Sequence, residues 1–196
     1  MPVHDFDPPH RFVAGTVGPP GQRTFFLQAR EGRRLISVSC EKEALSVLAD
    51  RVLDVLDDFA GAAGSDASAT AYQDDDALDT PIEDDFRVRT IALGWDPARQ
   101  VVVIEARPTD DDATEGDAED DDGDDDGDAE GEVARLLNPE VLVGDGLRVT
   151  LPPAQARAFA RRAQSLIRAG RPPCPFCAGP LDPAGHICPR ANGYRR

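Results

Sequence analysis

"RFVAGTVGPPGQRTFFLQAREGRRLISVSC", residues 11–40, holds three apolar runs, each too short for a helix and separated by turn chemistry. Residues 11–16, 23–30 and 33–40 are rich in Phe, Val, Ile and Leu, as strands are. The first two flank VGPPGQ, and the last two are joined by the two-residue Glu31-Gly32 connection, a strong hairpin signal. Gly15, Gly18 and Gly21 do not form a phosphate loop: no helix pattern follows them, and the Lys-Ser/Thr of that motif is absent. The stretch therefore predicts an antiparallel meander.

A helix follows over residues 41–59. Leu45, Leu48, Val52, Val55, Leu56 and Phe59 recur at helical spacing. Ser39 is the expected N-cap, and Glu41 and Glu43 suit the positive end of the helix dipole. Residues 60–85, rich in Ala, Gly, Ser and Asp, read as a flexible connection. Two further strands, 86–95 and 100–107, flank the turn sequence DPAR, and a last strand covers 147–151. Pro152-Pro153 then open a helix that stops at Gly170, with Phe159, Ala163, Leu166 and Ile167 on its inner stripe. Strands do not alternate with helices one for one. The expectation is an α+β fold, a mostly antiparallel sheet with two packed helices, over residues 1–170.

The formal net charge of −16 is not spread over the chain. Residues 110–132 carry fifteen acidic residues and no basic one, which leaves the remainder close to neutral. Such a tract has nothing to bury and reads as a disordered acidic loop over residues 109–132. Placing Gly127 at the EF-hand glycine puts Asp122, Asp124 and Asp126 in register, but the closing glutamate position falls on Val133 and no amphipathic helices flank it. A solvated linker is the better reading.

The tail, residues 171–196, concentrates metal chemistry. Cys174 and Cys177 form a C-x-x-C pair, and Cys188 is a third thiol within fifteen residues. His186 stands two positions before Cys188, on the same side of an extended segment. Cys174, Cys177, His186 and Cys188 can thus close a tetrahedron around a structural zinc ion, a zinc knuckle that folds the tail. Cys40, His4 and His10 are the alternatives to His186 as fourth ligand, and Cys40 reads as a small buried residue. A thioredoxin-like pair is disfavoured because Pro172-Pro173 precede it and Gly179-Pro180 follow. A disulfide would leave one thiol of the cluster over.

Between residues 157 and 196 there are eight arginines against one acidic residue, Asp182. Arg157, Arg161 and Arg168 share a helix face, and Arg190, Arg195 and Arg196 follow the last cysteine. This is either a solvated face or a surface for a partner or an anion, with the tethered acidic tract as its competitor. No G-x-S-x-G, H-E-x-x-H, Walker or dinucleotide motif is present. Only three histidines exist, and most carboxylates lie in runs that fix no geometry.

The ends of the chain, RFVAGTVGPPGQRTFFLQAR at 11–30 and RVTLPPAQARAFARRAQSLIRAGRPPCPFCAGPLDPAGHICPRANGYRR at 148–196, resemble an uncharacterised actinobacterial family carrying a domain of unknown function. Its C-terminal motif is CPxC…GHxCPRxNGY. The resemblance implies a cytoplasmic, zinc-binding protein and an operon context with a histidine-phosphatase-like protein as possible partner; it implies no activity. The start of the chain has no basic or apolar leader segment and no run suits a membrane span, so a soluble cytoplasmic protein is expected. The functional expectation is a zinc-stabilised interaction or adaptor protein. Nucleic-acid or phosphate-ligand binding on the arginine face is the alternative, and an enzyme of unrecognised type the second.

Overall fold

The structure, a computed structural model, describes residues 3–19, 21–108, 146–169, 174–177, 188 and 190. The meander forms as the turns dictate: β2 (Arg11–Val17), β3 (Thr24–Glu31) and β4 (Arg34–Cys40) make a three-stranded antiparallel sheet. Glu31 pairs with Arg34, so the hairpin loop is Gly32-Arg33, one position later than the sequence reading. Gly32 takes φ +58 there, a left-handed value that costs glycine nothing.

A second, four-stranded sheet runs β1-β7-β6-β5, with β1 Val3–Phe6, β5 Thr90–Asp96, β6 Val101–Arg107 and β7 Gly146–Leu151. All its neighbours are antiparallel except β1 and β7, which pair in parallel. The sequence pattern marks no strand at residues 3–6. VHDF buries only Phe6 completely, and its partner lies far along the chain, so neither alternation nor a turn marks it. The expected strand 86–95 is divided between the sheets. Ser39 donates to Phe86 O at 3.1 Å and Val88 to Ser39 O at 2.8 Å beside β4, and Arg89 donates to Arg107 O at 2.8 Å where β5 begins. This segment links the sheets at their edges.

Both sheets turn one face to the same pair of helices, α1 (Lys42–Phe59) and the C-terminal helix (Pro153–Arg168). Phe12, Leu27, Val38, Ile104, Val149, Leu45, Leu56 and Phe159 belong to one buried cluster, and the Phe12 and Phe159 rings stack at 4.6 Å. Such a core supplies most of the driving force, about 25 cal/mol per Å² of apolar surface removed from water. Phe59, at the end of the helical stripe, remains half exposed against the Trp95 ring. Ser39 is not the cap of α1: strand β4 continues through Cys40, the Ser39 hydroxyl donates to Asp84 at 2.7 Å, and extended Glu41 precedes the first helical turn.

Residues 60–85 have more local structure than their composition announces. Two 3₁₀ turns, Gly61–Gly64 and Thr70–Tyr72, flank the short helix α2 (Asp66–Ala69), whose N-cap Ser65 accepts from Ser68 N. The chain then lies as a strap, residues 73–85, over the outer face of β2-β3-β4, where Leu78 packs with Val13 and Phe26. The C-terminal helix is α3 in chain order. The acidic tract 109–132 lies outside the described residues.

Candidate metal centre

Cys174, Cys177 and Cys188 come together: their sulfurs all lie within 4.8 Å of one another. Cys174 and Cys188 are buried and Cys177 is half-buried. The Cys174 and Cys188 sulfurs are 3.8 Å apart. A disulfide holds its sulfurs at about 2.05 Å. Tetrahedral thiolates at about 2.3 Å from a common ion place neighbouring sulfurs about 3.8 Å apart. The spacing therefore fits three ligands converging on a metal ion and does not fit a bridge. Phe176, between two of these cysteines, is 63 % exposed, and its carbonyl accepts from Arg190 at 3.2 Å, tying the far end of the cluster to the C-x-x-C turn.

His186 lies outside the described residues. Among the described residues, none of the other candidate fourth ligands joins the cysteine group. Cys40 is buried in the main core, and that burial pushes its thiol up to about 12, a protonated sulfur at neutral pH. His4 is on β1, and His10 Nδ1 accepts from Gly32 N at 3.1 Å.

The predicted arginine face is divided: Arg157 is buried, while Arg161, Arg168 and Arg190 are exposed. Arg157 is only 5 % exposed; its guanidinium donates to Asp57 and to the carbonyl of Gly64. Arg161 makes a two-pronged contact with Asp66 at 3.0 and 2.9 Å, which raises its pKa and holds the Asp66 carboxyl below its usual range. Further along, Gln164 donates to Asp50 and accepts from Arg168. The polar stripe of α3 therefore faces carboxylates of α1 and α2. Arg195 and Arg196 lie outside the described residues.

No sequence motif singles out Arg11, Arg162 or Asp74, which form a densely connected polar group among the described residues. Arg11 is 9 % exposed and forks onto Asp74 at 2.6 and 2.9 Å while reaching Asp79 at 3.0 Å. Arg162 reaches the same Asp74 carboxylate at 2.9 Å and the Ala14 carbonyl at 2.7 Å. The Arg11 fork holds the Asp74 carboxyl below the usual carboxylate range, and burial pulls Arg162 down against the attraction of Asp74. Two open clefts, about 350 and 220 Å³, flank this group between α3 and residues 66–75. Their guanidiniums are spent on the strap. An arginine opening a strand in an otherwise apolar run was the available signal.

The family model described as "Protein of unknown function (DUF3090)" matches residues 4–188 of the chain. No curated protein and no solved structure matches it.

Proposed function

Because the chain belongs to the family described as Protein of unknown function (DUF3090), no activity carries over to it, and we propose from its own residues a zinc-stabilised interaction module. The observation that carries the metal half of this reading is the convergence of Cys174, Cys177 and Cys188 with a 3.8 Å sulfur edge. Soft thiolates in a tetrahedral array suit zinc, and His186 is the proposed fourth ligand from its position two residues before Cys188. Four protein ligands leave no open position for a substrate, so the ion orders the tail rather than reacting.

The docking half rests on what that tail presents. Phe176 is a large aromatic held outward by its ligand neighbours, the kind of side chain that anchors protein interfaces. Arg157 and Arg161 of α3 are already paired with Asp57 and Asp66 of the same chain, which favours a protein partner over a nucleic acid. The acidic tract adds a tethered polyanion able to compete for a basic partner surface. No helix among the described residues is long and apolar enough to cross a membrane. We place the protein in the cytoplasm, where its thiols stay reduced, and take a histidine-phosphatase-like protein as the first partner to try.

Affinity capture with the tagged full chain tests the reading. Phe176→Ala is expected to keep its zinc and lose the partner recovered by the parent. Recovery of the same partner by Phe176→Ala and by Cys188→Ser would contradict a docking role for the tail.

A further inference from the structure

We propose that the cysteine cluster is a peroxide-responsive metal-release site in which Cys177 is the residue that meets the oxidant. The inference rests on the zinc reading above and adds a modification site to it. Its basis is an asymmetry of access. A metal keeps all three sulfurs as thiolates, the nucleophilic form, so reactivity among them is decided by exposure. Cys174 and Cys188 are buried, with 4 % and 8 % of their surface accessible, while Cys177 is half-buried.

The second requirement is a resolving thiolate within reach. Both other sulfurs lie within 4.8 Å of Cys177, so a small movement brings either to bonding distance. The third is the absence of a competing thiol. Cys40 is enclosed by the apolar core and stays protonated at neutral pH, so it is poorly placed to react first.

The chemistry balances with a hydroperoxide as the only co-reactant. The Cys177 thiolate attacks one peroxide oxygen; the S–O bond forms, the O–O bond breaks, and the departing oxygen takes a proton from water. A neighbouring thiolate then attacks the Cys177 sulfur. An S–S bond forms, the S–O bond breaks, and hydroxide leaves to be protonated. Two thiolates lose two electrons and the peroxide gains them. With two ligands removed the ion is released, and the segment bearing Phe176 loses the constraint that displays it.

The zinc-loaded full chain, freed of reductant, is titrated with hydrogen peroxide while a chromophoric chelator records zinc and a thiol reagent counts free cysteines. The expected result is release of the bound zinc with loss of two thiols per chain, reversed by reductant plus zinc. Cys40→Ser should behave like the parent. Cys177→Ser, if it loads zinc, should release it at least about tenfold more slowly. If that variant does not load, a sulfenate-trapping reagent on the parent protein decides, with first label expected on Cys177. First label on Cys174, Cys188 or Cys40, or zinc retained while thiols disappear, would overturn the proposal with the zinc reading intact. A reduced protein that carries no zinc would instead remove the reading on which it stands.

Discussion

Arg11 and Asp74, 63 positions apart in the chain, meet fork to fork, with Nε 2.6 Å from Oδ2 and Nη2 2.9 Å from Oδ1. The pair fastens residues 73–85 across the outer face of the three-stranded sheet. The neighbouring Asp79 accepts from Arg11, and its backbone N–H donates to the buried Gln28 at 2.8 Å. Arg11→Ala removes the hub of this group while leaving its carboxylates in place. Because Asp74 and Asp79 are 25 % and 34 % exposed, the cost should fall below the about 3–5 kcal/mol of a fully buried pair, at roughly 2–3 kcal/mol. Chemical denaturation of the variant measures it, and a loss under about 0.5 kcal/mol would make the pair ornamental.

The same carboxylate sets an acid limit. Hydrogen bonding from Arg11 depresses the folded-state pKa of Asp74 below its ordinary 3.8. Asp7 beside Arg99 and Asp66 beside Arg161 move in the same direction. Depressed carboxylates contribute stability that is fully present above the unfolded-state value and lost as pH falls through the folded-state one. The melting temperature should hold from about pH 7 to 5 and fall below about pH 4. Asp74→Asn should melt lower at neutral pH and show a shallower acid limb; an unchanged limb would mean Asp74 is not among the groups that set it.

Gly15 and Leu78 hold the strap by shape. A Cβ on Gly15 would stand 2.4 Å from Leu78 Cγ and Cδ2, closer than any real contact. Gly15→Ala should cost about 1–3 kcal/mol as Leu78 is forced out. In the Leu78→Ala background the same change should cost much less, since the obstacle is gone. Additive losses would show that the two residues do not share this space.

The helix arginines are expected to report on stability more than on binding. Arg157→Gln leaves the Gly64 carbonyl without its donor and should destabilise by about 1–3 kcal/mol. Arg161→Gln touches an exposed pair and should cost less than about 1 kcal/mol. Heparin binding at physiological salt should be weak in the parent and change little in Arg157→Gln. A large loss of heparin binding without destabilisation would restore Arg157 to an anion-contacting role.

Most of the architecture was legible because it rests on local signals. The turns around Gly18 and Gly32, the helical spacing from Leu45 to Leu56 and the proline start of α3 each specify an element by themselves. What escaped is non-local. Val3–Phe6 is a strand only because β7 lies beside it, and Ser39 looks like a cap until Asp84 takes its hydroxyl. The cysteine cluster was legible for the opposite reason: three thiols within fifteen residues need little help from the fold to meet. The helix face bearing Arg157 was visible as a stripe, but periodicity does not say whether a stripe faces solvent or another helix. Here the aspartates of α1 and α2 decide it.

Cys174, Cys177 and Cys188 are proposed to hold a metal ion, and the metal content of the full chain purified without chelator decides that assignment. About one zinc per chain is expected in the parent and in Cys40→Ser, with the metal lost from Cys174→Ser and Cys188→Ser. His186→Ala should weaken binding far more than Cys40→Ser. A parent protein without zinc, or zinc that survives Cys188→Ser and disappears with Cys40→Ser, would contradict it.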